Sequence, residues 1–137
     1  MFRQFLLGKL HRCRVTRADL DYVGSISIDR ELMDAAGILQ YEKVLIVNLE
    51  NGARFETYVI EAPAGSKVIG MNGGCAHLAN PGDIVLVMAY QYLREGDVAH
   101  PKTVIISGNN EIEAIIEGDV EVPVMTGQPS GLELQKV

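Results

Sequence analysis

Short runs of branched and apolar residues, each closed by glycine, proline or asparagine, recur along the chain, and this punctuation confines it to a mainly β fold. Residues 43–49 are rich in Val, Leu and Ile and lead into Asn51-Gly52. That pair is a strong two-residue hairpin signal, because both central positions of a type I′ turn need positive φ. Residues 54–60 then return as a strand. Residues 10–15, 68–71, 84–93 and 103–107 read the same way, with breaks at Gly73-Gly74, Pro81-Gly82-Asp83 and Gly108-Asn109-Asn110. One short helix is predicted over Arg30–Ala36: Asp29 suits its N-cap, Glu31 its first turn and Gly37 its C-terminal stop. Many short strands with few helices pack as a small barrel or a sandwich, and periodicity does not choose between them.

A length of 137 residues corresponds to one domain. Hydrophobic residues make up 47%, enough for a core, and an aromatic share of 6% without tryptophan predicts an aliphatic one. A net charge of −6 argues against a nucleic-acid or anionic-membrane partner. No apolar run approaches bilayer length. The segment Met1-Phe2-Arg3-Gln4-Phe5-Leu6-Leu7-Gly8-Lys9 is too short and too charged for a signal peptide. Cys13 and Cys75 do not make a disulfide framework, so a cytoplasmic protein with reduced thiols is expected. A single β-domain over residues 1–125 is expected. Residues 126–137, with Gly127, Pro129 and Gly131, have little to pack and are expected to form a mobile tail.

The residue pair with the greatest chemical potential is Gly24-Ser25. A serine hydroxyl is a poor nucleophile unless strain or a neighbour activates it. A glycine before it lacks Cβ and admits strained peptide geometries. Attack of Ser25 Oγ on the Gly24 carbonyl would move the acyl group from nitrogen to oxygen, and elimination followed by hydrolysis would leave a pyruvoyl group and ammonia. The plainer alternative is an uncut turn, since Gly65-Ser66 is the same dipeptide and most Gly-Ser pairs are turns.

Other residues could serve such a centre. Arg54 offers a fork for a carboxylate and Lys9 a compact second charge, although both types are usually solvated at the surface. Period two on a strand puts Arg54 and Tyr58 on one face, where the Tyr58 phenol can act as an acid or simply pack its ring. Asn72-Gly73-Gly74-Cys75 can bring backbone amides close to a ligand or form an ordinary turn. His11, Cys75 and His77 do not complete a tetrahedral metal site by spacing, so no metal is expected. Without a glycine-rich phosphate loop no pyridoxal phosphate is expected either. Glu111, Glu113, Glu117, Asp119 and Glu121 read as a solvated acidic face.

Gly8-Lys9-Leu10-His11-Arg12, Tyr22-Val23-Gly24-Ser25 and Asn51-Gly52-Ala53-Arg54-Phe55-Glu56-Thr57-Tyr58, spread over most of the chain, resemble the pyruvoyl-dependent aspartate 1-decarboxylases. The resemblance implies a double-psi β-barrel, self-cleavage between Gly24 and Ser25, and a pyruvoyl group made from Ser25. It implies conversion of L-aspartate to β-alanine and carbon dioxide for pantothenate and coenzyme A synthesis. The pyruvoyl ketone would condense with the substrate amine and accept the electrons released as carbon dioxide departs. Arg54 would bind a substrate carboxylate, with Lys9 in the same pocket. Tyr58 would be the proton donor. Thr57 would contact the substrate through its hydroxyl, and Asn72, Gly73, Gly74 and Cys75 would wrap it. Relatives carry alanines after the Asn-Gly, so Gly74 and Cys75 are departures. A homotetramer with sites between subunits is also implied, and a maturation factor is a further partner this chemistry admits. The rival class is an uncleaved, non-catalytic β-barrel binding module such as a DNA-binding dimer. It would need a basic face, which the charge balance opposes.

Overall fold

The computed structural model describes residues 1–118, 121–123 and 134–136. Among these the elements run β1 (Phe2–Arg14), β2 (Arg17–Asp19), β3 (Ile26–Asp29), α1 (Arg30–Ala36), β4 (Lys43–Asn48), β5 (Arg54–Ala62), β6 (Ile69–Asn72), β7 (Ile84–Arg94), β8 (Lys102–Ser107), β9 (Glu111–Glu117), β10 (Glu121–Pro123) and β11 (Leu134–Lys136). A 3-10 turn, Gly73–His77, follows β6. The expectation of a mobile tail over 126–137 falls largely outside the described residues, within which β10 and β11 form an antiparallel pair.

Nine strands form one mixed sheet in the order β2-β6-β3-β5-β4-β7-β1-β8-β9. The β1–β8, β2–β6 and β3–β5 pairs are parallel and the rest antiparallel. Val15 N–H donates to the Asp83 carbonyl at 2.9 Å and Thr16 N–H to the Ile69 carbonyl at 2.8 Å, which draws the β1–β2 corner against β6 and the start of β7. The sheet therefore wraps one core, consistent with the small β-barrel that the resemblance implies. That core is aliphatic, as composition predicts: Leu10, Ile26, Ile28, Ile46, Ile69 and Val87 are completely buried.

The predicted helix forms with the predicted caps. The Asp29 carboxylate is buried and Oδ1 accepts from Glu31 N–H at 2.8 Å, while Gly37 takes φ 77° at the C-terminus. Asp29 also accepts from Gly65 N–H at 3.0 Å and Lys67 N–H at 2.8 Å, so one side chain caps α1 and fixes the 65–67 turn. The C-terminus of α1 sits on β1 at Gly8, where any Cβ would collide with the Ala36 carbonyl oxygen.

One local reading is corrected. β4 and β5 pair as the expected antiparallel hairpin, but its turn is not type I′, because Gly52 takes φ 76° and Asn51 does not take positive φ. Asn48, fully buried, organises a longer loop: its N–H donates to the Ala53 carbonyl at 2.9 Å and its Oδ1 accepts from Glu50 N–H at 2.9 Å. Its Nδ2 donates to the Leu78 carbonyl and to Asp83, so tertiary partners outweigh the dipeptide preference. The expected break at Gly73-Gly74 ends β6, and the two glycines open a 3-10 turn. Glu111, Glu113 and Glu117 are exposed, as expected of a solvated face, and lie on β9, paired with β8. In β1 a bulge at Arg12, φ 72°, turns that residue outward and lets both Leu10 and Cys13 be buried.

Candidate active site

Gly24 and Ser25 lie in the loop that joins β2 to β3. Asp19 starts it: its Oδ1 accepts from Asp21 N–H at 3.0 Å and its carbonyl from Tyr22 N–H at 3.4 Å. Val23 is 91% exposed, and the chain then descends to half-buried Ser25 and the fully buried Ile26. Gly24 takes φ 126°, a backbone shape that L-residues with side chains rarely adopt.

The end of β6 holds this loop from below. Asn72 N–H donates to the Ser25 carbonyl at 2.8 Å. Asn72 is 1% exposed, and its Nδ2 donates to the buried Ser27 Oγ at 2.8 Å, while its Oδ1 has no partner among the described residues. Gly73, φ 58°, lies under the loop, and a Cβ there would sit 3.5 Å from the Gly24 oxygen and 3.6 Å from the Tyr22 oxygen. The absent side chain leaves a cradle against the carbonyl that Ser25 would attack.

Tyr58 approaches from β5. The parallel register pairs Ile26 with Val59, which sets Tyr58 alongside the Ser25 end of β3. Along β5, Arg54, Glu56 and Tyr58 are exposed, whereas Phe55 and Thr57 are half-buried and Val59 is buried. Arg54 and Tyr58 thus share the face that period two predicts, and Thr57 lies on the other. Lys43, Glu56, Thr57 and Tyr58 line an open cavity of about 390 Å³, spanned by a Lys43–Glu56 ion pair at 3.3 Å. Ser25 does not line it.

Two predicted residues stand apart within one chain. Arg54 is four residues from Tyr58, about 13 Å along an extended strand. Lys9 on β1 belongs to the cross-sheet row Lys9–Met88–Leu45–Glu56, three strand spacings or about 14 Å from β5. Burial holds the half-buried Lys9 amine below the ordinary lysine range. The neighbouring His11 is also lowered, by burial and then by Lys9 and Arg12. Cys75 and Gly74 lie on the 3-10 turn, Cys75 against the core and Gly74 facing open space. His77 is on the same turn and His11 on β1, and no group of three or more His, Cys, Asp or Glu side chains converges among the described residues.

Sequence reading assigned no role to Arg17, Ser27 or Ile60, yet Arg17 and Ile60 reach the loop and Ser27 holds the Asn72 side chain beneath it. Ile60 Cγ1 would lie 3.2 Å from a Cβ on Gly24. Arg17 and Ser27 are paired with the same residue of β6, Gly70, from opposite sides. No linear signal marks them, because only the strand order makes them neighbours.

Comparison with known proteins places the chain in a family. A family model described as aspartate decarboxylase matches residues 1–113. A protein of Neisseria meningitidis serogroup C named aspartate 1-decarboxylase is 54% identical over 118 residues, covering 85% of this chain and 93% of the relative. One of the same name from Syntrophomonas wolfei is 51% identical, covering 84% of this chain and 99% of the relative. A third, from Pelotomaculum thermopropionicum, is 47% identical, covering 90% and 95%. Matched over residues 1–113 and about half identical to these relatives over most of its length, this chain belongs to the aspartate decarboxylase family.

Proposed function

We propose that this chain decarboxylates L-aspartate to β-alanine after cutting itself between Gly24 and Ser25. The observation that carries this reading is the setting of that peptide. Gly24 is held at φ 126° with its oxygen over side-chain-free Gly73, and Ser25 is tied to Asn72 at 2.8 Å. Ser25 Oγ would attack the Gly24 carbonyl carbon. An ester forms as the C–N bond breaks, and the proton passes to the released Ser25 nitrogen. Elimination then frees the Gly24 carboxylate and leaves dehydroalanine, whose hydrolysis gives the ketone and ammonia. The residues fit this outcome: Gly73 puts no side chain against the Gly24 oxygen, and the Asn72 N–H keeps the Ser25 carbonyl fixed while the preceding bond breaks.

When formed, the Ser25-derived ketone supplies the electron sink that decarboxylation needs, so no separate pyridoxal phosphate or metal enters the reading. Tyr58, beside Ser25, supplies the proton to the product carbon. Arg54 grips a substrate carboxylate through two parallel hydrogen bonds. Thr57 adds a hydroxyl, and the backbone of Gly73, Gly74 and Cys75 closes over the substrate. The separation of Lys9 and Arg54 from Ser25 within one chain supports a homotetramer whose sites combine residues of neighbouring copies. A cytoplasmic enzyme with Cys13 and Cys75 as free thiols completes the reading.

Denaturing intact-mass measurement of the purified full chain tests it. Cleavage yields residues 1–24 and a pyruvoyl-blocked chain of residues 25–137, and Ser25→Ala stays whole. A wild-type chain that remains intact after prolonged warm incubation, with or without a candidate maturation factor, overturns the reading.

A further inference from the structure

We propose that Arg17 is a positioning residue for the self-cleavage, an inference that rests on the reading above. Its guanidinium fixes both flanks of the Gly24–Ser25 peptide at once. Ahead of the bond, Arg17 Cζ lies 5.3 Å from the centroid of the Tyr22 ring, within cation–π range. Behind it, Arg17 Nη2 donates to Ser27 Oγ at 3.3 Å. Ser27 Oγ also accepts from Asn72 Nδ2, and Asn72 N–H holds the Ser25 carbonyl. Asn72 Nδ2 lies 3.8 Å from the Cβ position of Gly24, and Tyr22 Cε1 lies 4.0 Å from it. One planar cation therefore links Tyr22 to Ser27 and, through Ser27 Oγ, to Asn72; Tyr22 and Asn72, with Ile60, are the side chains nearest Gly24.

The geometry depends on Gly70. Arg17 on β2 and Ser27 on β3 flank β6 and are both registered to Gly70. The arginine reaches across β6 only because that position has no side chain. A Cβ on Gly70 would lie 2.7 Å from Arg17 Nε, 3.2 Å from Cγ and 3.4 Å from Cζ. Gly70 does not have positive φ, so its lack of a side chain serves the crossing arginine and not a turn. Lysine could keep the charge, but not the flat fork that meets a ring and a hydroxyl together. A purely structural arginine would stiffen β2 against β6 without bearing on the reaction rate.

The test follows first-order cleavage of the full chain by intact mass, with melting temperature measured in the uncleavable Ser25→Ala background. Arg17→Met is expected to slow cleavage about tenfold, a loss equivalent to about 1.4 kcal/mol of barrier. Melting should change little, because Arg17 is exposed. Arg17→Lys is expected to fall between, and millimolar methylguanidinium to restore part of the rate of Arg17→Ala but none of Ser25→Ala. Gly70→Ala keeps the arginine while evicting its side chain, so it should slow cleavage as Arg17→Met does, and combining the two should cost little more. If Arg17→Met fails to fold, Gly70→Ala carries the test. Wild-type cleavage rates in both Arg17→Met and Gly70→Ala would overturn the assignment while leaving self-cleavage intact. Slowing that tracks a fall in melting temperature and resists methylguanidinium would overturn it too. A wild-type chain that never cuts would instead overturn the cleavage reading, and this inference with it.

Discussion

The N–H of Asn72 donates to the carbonyl of Ser25 at 2.8 Å, a bond that cleavage of the preceding peptide would leave in place. Among the described residues Gly24 has no such anchor: its oxygen rests over Gly73 without a side chain between them. Breaking the Gly24–Ser25 bond would thus release the glycine while the serine-derived end stays fixed to β6.

Gly24→Ala tests the strained side of that bond. At φ 126° an alanine is disfavoured by about 1–3 kcal/mol. Its Cβ would also press on Ile60 Cγ1 at 3.2 Å. Either the loop relaxes and cleavage slows, or the strain remains and the uncut Ser25→Ala background melts lower. Unchanged cleavage with unchanged melting would show that the loop geometry is not constrained.

Tyr58→Phe separates processing from turnover. The phenol is not the attacking group, so the variant should still yield the 1–24 and 25–137 chains by mass. Decarboxylation should fall by about the 10²–10⁴-fold attached to a lost general acid. Near-normal turnover in fully processed protein would reduce Tyr58 to a packing residue.

Arg54→Lys keeps a cation on the exposed face of β5 while losing the bidentate fork. Cleavage should persist, and kcat/KM for aspartate should drop at least about tenfold, the equivalent of one charge-assisted hydrogen bond. Wild-type kinetics would mark Arg54 as a solvated surface charge.

Lys9 predicts a pH signature. Burial lowers its amine below the ordinary lysine value, so the folded chain releases this proton before the unfolded chain does. Between the lowered value and about 10.4 the unfolded state binds more protons, and stability due to Lys9 rises with pH. Lys9→Met should therefore match or exceed wild-type melting at neutral pH and lose that alkaline gain, while decarboxylation falls. A variant that melts lower at neutral pH would mean that the amine has a stabilising partner.

The sequence alone determined features that depend on near neighbours. The helix over Arg30–Ala36 was legible because a capping carboxylate and a left-handed glycine act within one turn. The shared face of Arg54 and Tyr58 followed from the pleat, and the aliphatic core from composition. The Gly24-Ser25 bond and its family setting were readable as a linear motif. Tertiary structure decided what strand order decides. It overrode Asn51-Gly52 because buried Asn48 found partners in Leu78 and Asp83, and it made a strand of an acidic run by pairing it with β8. It set Thr57 opposite Tyr58 and moved Lys9 three strands away. It also brought Arg17 across Gly70 to Ser27, ten residues on in the chain, through pairings of β6 with both β2 and β3. Such contacts leave no periodic trace, because each arises from which strands lie side by side and not from the spacing along any one of them.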